Sequence, residues 1–171
     1  MLTDLLDFQE SPRITKVISG GQTGADRAGL VAAMDKGVAT GGHAPKGYRT
    51  QTGPDFTLRD TFGLEEHPSD AYPPRTEANV RNAHATIIFG DENSPGCSLT
   101  KRLCRKWKKP YFVVNTFSSK QVEEVAKALR ALAIFNLTVN VAGNREEKNP
   151  GIFKKTRSCM VQLLTLMNDN A

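Results

Sequence analysis

The chain has 171 residues, 39% hydrophobic and 24% charged, with a formal net charge of +5. That length suffices for a buried core, and no run of 18 apolar residues is present to span a membrane. Cys97, Cys104 and Cys159 are odd in number and never spaced as Cys-x-x-Cys, and His43, His67 and His84 fall in separate segments, so neither a disulfide framework nor a protein-ligated metal is predicted.

Residues 1–13 read as an N-terminal arm, with Leu2, Leu5 and Leu6 free to pack on the body or on another subunit. Asp4 and Asp7, without a basic stretch, argue against a signal peptide, and the expected location is cytoplasmic. Residues 14–171 are expected to form one domain.

A strand over 16–19 enters the glycine turn Gly20-Gly21-Gln22-Thr23-Gly24, and a helix over 24–36 leaves it, stopped by Gly37. Residues 38–42 read as a short strand, 44–50 as a loop rich in glycine and cations, 55–62 as a turn or two of helix and 64–67 as an edge strand. Pro73 and Pro74 precede a helix over 75–83. The β-branched run 85–90 reads as a buried strand. A second small-residue turn, 94–98, opens a helix over 99–107. Strands over 111–115 and 137–142 and helices over 120–133 and 151–167 follow, with a polar loop at 143–150. This alternation predicts an α/β fold, a mostly parallel sheet with helices on both faces. Ligands of such sheets lie at the carboxyl ends of the strands.

Four loops after strands carry ligand-type residues. In the first, the N–H groups of Gly21 to Gly24, with the Thr23 hydroxyl, would hold an anion at a helix N-terminus. Gly20, Gly21 and Gly24 let backbone approach a ligand closely. The loop is neither a Walker A motif nor the full dinucleotide fingerprint, since Ser19 stands where the first glycine would be. Gly96, Cys97 and Ser98 would open a second anion site. Lys46, beside Gly47, and Arg145, beside Gly143, could neutralise charge, and Tyr48 could stack on a ring. Arg75, Thr76 and Asn79 start a facing helix and either reach the ligand or bridge structure; Gln22 and Thr100 complete the candidate set. Asp26 either steadies the helix dipole, by about 0.3–1 kcal/mol, or serves as a base, a ribose-hydroxyl acceptor or a cation ligand. Cys97 at a helix start is either a reactive thiol of lowered pKa or a small residue that fits the turn.

Lys101, Arg102, Arg105, Lys106, Lys108 and Lys109 concentrate positive charge around a stripe of Leu99, Leu103 and Trp107. A solvated helix face is favoured over nucleic-acid binding, because no stacking set accompanies the charges.

In order, Gly20-Gly21-Gln22-Thr23-Gly24-Ala25-Asp26, Ala44-Pro45-Lys46-Gly47, Tyr72-Pro73-Pro74-Arg75-Thr76 with Asn79-Val80, Ala85-Thr86-Ile87-Ile88-Phe89, Leu99-Thr100, Asn140-Val141-Ala142-Gly143 and Pro150-Gly151-Ile152 resemble the molybdenum-cofactor carrier family. That family is also described as circularly permuted YpsA-like, within the SLOG superfamily. Gly96-Cys97-Ser98 departs from its usual Gly-Gly-Thr, and Asn144 stands where proline is expected. The resemblance implies a Rossmann-like three-layer sandwich, a carrier or sensor of molybdenum cofactor or a nucleotide, and a homodimer or homotetramer. The alternative is a nucleotide N-glycosidase of phosphoribohydrolase type, with Asp26 as its catalytic carboxylate.

Overall fold

The computed structural model describes residues 10–169. Five strands form the main sheet: β1 (Arg13–Ile18), β2 (Ala39–Gly41), β7 (Ala85–Phe89), β8 (Tyr111–Val114) and β9 (Asn136–Gly143). Their spatial order is β2-β1-β9-β7-β8, and every neighbouring pair is parallel. The helices are α1 (Ala25–Asp35), α2 (Thr57–Asp60), α3 (Tyr72–Asn82), α4 (Pro95–Lys106), α5 (Ser119–Ala131) and α6 (Ile152–Asn168). No helix among the described residues is long and apolar enough to cross a membrane.

The last strand to be synthesised lies at the centre. Counting β9 as first, β1 as second, β2 as third, β7 as fourth and β8 as fifth turns the order into 3-2-1-4-5. This matches the first five strands of the Rossmann order, cyclically shifted so that the first βα unit follows the others in sequence. Connections leave β1 toward one edge and β7 toward the other. The crevice where they part opens above the carboxyl end of β9, and this fixes where a ligand site can form.

Residue alternation along the strands divides the two faces. Leu137, Val139 and Val141 of β9, with Ala85, Ile87 and Phe89 of β7, point into the main core under α1, α5 and α6. Asn140 and Thr86 point to the other face, beneath α3 and α4, where the Asn140 amide donates to the Thr86 hydroxyl at 3.3 Å. There the apolar cover is thin, a cluster of Val80, Leu103 and Cys104.

Several local expectations change. β1 begins at Arg13, inside the expected arm; the arm's residues 1–9 lie outside the described residues. The strand expected over 64–67 shrinks to β6 (Glu65–Glu66), which pairs in parallel with β3 (His43–Ala44) away from the main sheet. β4 (Arg49–Thr50) and β5 (Gly53–Pro54) make a further small ladder. These short elements surround Leu30, Ala44, Tyr48, Leu58, Phe62 and Leu64. Tyr48 is therefore core, its hydroxyl donating to the Leu64 carbonyl at 3.2 Å, and it does not stack on a ligand. Pro73 and Pro74 lie within the first turn of α3, where their missing N–H groups cost nothing. Helix α4 starts earlier than expected, because Pro95 follows a Ser94 cap whose hydroxyl accepts from the Cys97 N–H.

Helix α1 lies so close to β9 that a Cβ on Gly29 would sit 2.7 Å from the Val141 Cβ. Overpacking a rigid β-branched neighbour costs about 1–3 kcal/mol. Alanine gains only about 1 kcal/mol of helix propensity over glycine. Gly29→Ala is therefore predicted to lower the unfolding free energy by about 1 kcal/mol in denaturant titrations, and a more stable variant would contradict this packing.

Candidate functional site

A cleft of about 110 Å³ lies over the carboxyl end of β9. The β1–α1 loop contributes Gly20 and Gln22, and the first turn of α1 contributes Asp26; α3 contributes Tyr72, Arg75, Thr76 and Asn79; α4 contributes Gly96, Leu99 and Thr100. The floor is Asn140, Val141, Ala142 and Gly143, and Arg145 closes the rim. The expected residues Gly20, Gln22, Asp26, Arg75, Asn79, Gly96, Thr100, Gly143 and Arg145 are thus brought together. Gly21, Thr23, Gly24, Lys46, Gly47, Cys97 and Ser98 are not among the lining residues. Tyr72 and Asn140 are lining residues that sequence reading names only within the family motifs and not as ligand candidates. Beyond that motif, the signal for Asn140 is its polarity between Val139 and Val141 in a buried strand.

The charged centre is Asp26 and Arg75. One Arg75 Nη1 stands 3.5 Å from Asp26 Oδ2, and both side chains are about 10% exposed. The Gln22 N–H donates to the same oxygen at 3.3 Å. Burial pushes the Asp26 carboxyl above its ordinary 3.8, opposed by Arg75, the Gln22 N–H and Arg145. Burial also pulls the Arg75 guanidinium below its ordinary value, opposed by Asp26. The guanidinium passes so close to Gly20 that any Cβ there would overlap it. Around Tyr72 gather the guanidiniums of Arg145, Arg75 and Arg49, at 4.7, 5.4 and 5.6 Å from the ring centroid. Positive charge therefore dominates the cleft, with Asp26 its only acidic lining residue among the described residues.

The helix N-termini near the cleft are partly engaged by the chain itself. In the β1–α1 loop the Gly21 N–H donates to the Ser19 hydroxyl at 3.1 Å, and the Ala25 N–H donates to the Asn144 carbonyl at 3.1 Å. The Thr23 hydroxyl turns outward and donates to the Glu147 carboxylate at 2.7 Å. At α6, Glu146 accepts from the N–H groups of Gly151 and Phe153 at 2.6 and 2.9 Å. An incoming anion would be met chiefly by guanidinium groups.

Cys97 is buried, and burial pushes its thiol up, the opposite of an activated nucleophile. Lys46 is exposed on a 3₁₀ turn (Lys46–Tyr48), where the Gly47 N–H donates to Glu66 at 2.6 Å. On α4, Lys101 pairs with Glu92 at 3.2 Å and Lys106 with Glu77 at 2.7 Å, while Arg105 donates to the Tyr111 hydroxyl. The basic helix is to that extent neutralised.

Asn144 joins the walls. Its Oδ1 accepts from the Asp91 N–H at 2.7 Å and from Asn149 Nδ2 at 3.0 Å. Its Nδ2 donates to the Asp91 carbonyl at 3.1 Å and the Ser94 hydroxyl at 3.2 Å. Gly24 and Gly90 press against it so closely that a Cβ on either would overlap an Asn144 oxygen.

A model of the circularly permutated YpsA SLOG family matches residues 17–164. Among curated proteins no match is found. The crystal structure of a "Putative molybdenum carrier protein" from Syntrophus aciditrophicus SB superposes with a TM-score of 0.77 at 33% sequence identity, over 91% of this chain and 97% of that one.

Two predictions follow from this geometry. Because the folded state raises the Asp26 pKa, it favours the protonated carboxyl; that stabilisation is complete below pH 3.8 and is lost as pH rises through the raised value. Asp26→Asn should remove this decline, so variant and wild-type unfolding free energies, compared from pH 3 upward, should shift in the variant's favour as pH rises; parallel curves would contradict the assignment. Asn144→Ala should cost about 2 kcal/mol, because it strips partners from Asp91, Ser94 and Asn149 together; denaturant unfolding measures it, and a loss below about 0.5 kcal/mol would show the walls stand without it.

Proposed function

Because the chain belongs to the circularly permuted YpsA SLOG family, we propose that its cleft binds a phosphate-containing small molecule, held as cargo or signal and not turned over. The observation carrying this reading is the convergence of Arg75 and Arg145 on one small cleft where Asp26, the one acidic lining residue among the described residues, already faces Arg75. Guanidinium groups bind phosphate through paired, charge-assisted hydrogen bonds. Hydrolysis of an N-glycosidic bond calls for a carboxylate free to act on the reacting centre, and Asp26 is engaged by Arg75 and the Gln22 N–H.

Two cargoes share the required phosphate. The name of the similar bacterial protein points to molybdenum cofactor, and the Rossmann-like strand order points to a nucleotide. The guanidinium groups suit the phosphate of either. Among the described residues no group of three His, Cys, Asp or Glu could hold a metal ion, and buried Cys97 is not a lining residue. A molybdenum-bearing cargo would therefore be gripped through its phosphate and ring, with Tyr72 beside the rim arginines.

Arg145, half-buried at the rim, is the residue to change, since removing buried Arg75 would leave Asp26 uncompensated. Arg145→Gln is predicted to weaken binding of a nucleoside 5′-monophosphate by about tenfold to hundredfold, as expected for a charged hydrogen bond. Thermal stability should stay near wild type. Calorimetric titration measures both proteins; equal affinities would remove the cleft from consideration.

A further inference from the structure

The polar atoms around the cleft are unevenly matched. Gln22 is 2% exposed, and its Nε2 donates to the Arg49 carbonyl at 3.1 Å, which fixes the amide's orientation. Its Oε1 is then a buried acceptor without a partner. Both hydrogen bonds to the Asp26 carboxylate go to Oδ2, and Oδ1 accepts none from the described residues. The hydroxyls of Thr76 and Thr100 donate to the carbonyls of Tyr72 and Gly96, each at 3.0 Å, leaving only lone pairs for a ligand. Asn79 is engaged at both ends by the backbone of His43. On the donor side stand the guanidiniums of Arg75, whose buried Nε has no partner, and Arg145.

A bare oxyanion would satisfy the guanidiniums and leave the acceptors empty. It would also lie beside the Asp26 carboxylate with no proton to offer it. A ligand with anionic oxygens and adjoining hydroxyl groups satisfies both sets at once, since buried acceptors without partners are costly. We propose that the cleft receives the sugar-phosphate end of its ligand, the phosphate on Arg75 and Arg145 and the sugar hydroxyls on Gln22 Oε1 and Asp26. This rests on the phosphate reading above and narrows it to a ligand with hydroxyls beside its phosphate. Acceptors that demand a hydroxyl discriminate strongly against an analogue lacking it.

Calorimetric titration of the full chain with ribose 5-phosphate and with methyl phosphate tests this. Ribose 5-phosphate should bind at least about tenfold more tightly, the loss expected when a buried acceptor goes unmet. Gln22→Met should erase most of that preference by weakening ribose 5-phosphate binding about tenfold. Equal binding of the two compounds by the wild-type protein would overturn the proposal and leave the phosphate reading standing. Binding of neither would overturn both. Adenosine 5′-monophosphate identifies the source: affinity at or above that of ribose 5-phosphate assigns a nucleotide and weaker affinity a free sugar phosphate, each upholding the sugar-phosphate subsite.

Discussion

Asn144 holds three segments of the sheet edge at one point, two through its side chain and one through its backbone. Its amide bridges to the β7–α4 loop through Asp91 and Ser94 and to its own loop through Asn149. Its backbone N–H donates to the Phe89 carbonyl and its carbonyl accepts from the Ala25 N–H, so β7 and α1 are tied to the same residue. A proline, which the family resemblance leads one to expect here, could donate neither an N–H nor an amide. The geometry of the cleft therefore depends on a residue that is not among its lining residues.

The strand order explains why this junction matters. With β9 between β1 and β7, the loop after β9 occupies the place that a Rossmann sheet gives to its first phosphate turn. Here the proposed anion site lies on side chains and not on that turn. Glu146 occupies the N-terminus of α6, and the β1–α1 loop satisfies much of itself through Ser19, Asp26 and Asn144. Positive charge comes instead from side chains, Arg75 on α3 and Arg145 just beyond β9. The glycines of the first loop fit this arrangement. Gly20 makes room for the Arg75 guanidinium and Gly24 for the Asn144–Glu146 backbone. Their absent side chains serve close packing within the protein.

Much of this was legible in the sequence where one physical signal dominates. The apolar runs of β7 and β8 and the periodic faces of α5 and α6 read correctly because burial alone decides them. Gly20, Asp26, Arg75, Asn79 and Arg145 were legible as polar or glycine residues at strand and helix ends. What resisted reading depends on partners distant in the chain. Tyr48 looks like a stacking residue until residues 56–64 fold around it. Thr23 looks like a phosphate ligand until Glu147, 124 positions away, claims its hydroxyl. Asn140 matters because β9 is central, and no local pattern announces that the fifth strand of the main sheet will insert between the first and the third.

The central claim is that an anion in this protein is held by guanidinium groups over the end of β9. A crystal structure grown with a nucleoside 5′-monophosphate tests it most directly. The account predicts phosphate oxygens within hydrogen-bonding distance of both Arg75 and Arg145. A phosphate seated on the N–H groups of Gly21 to Gly24, away from both arginines, would contradict it.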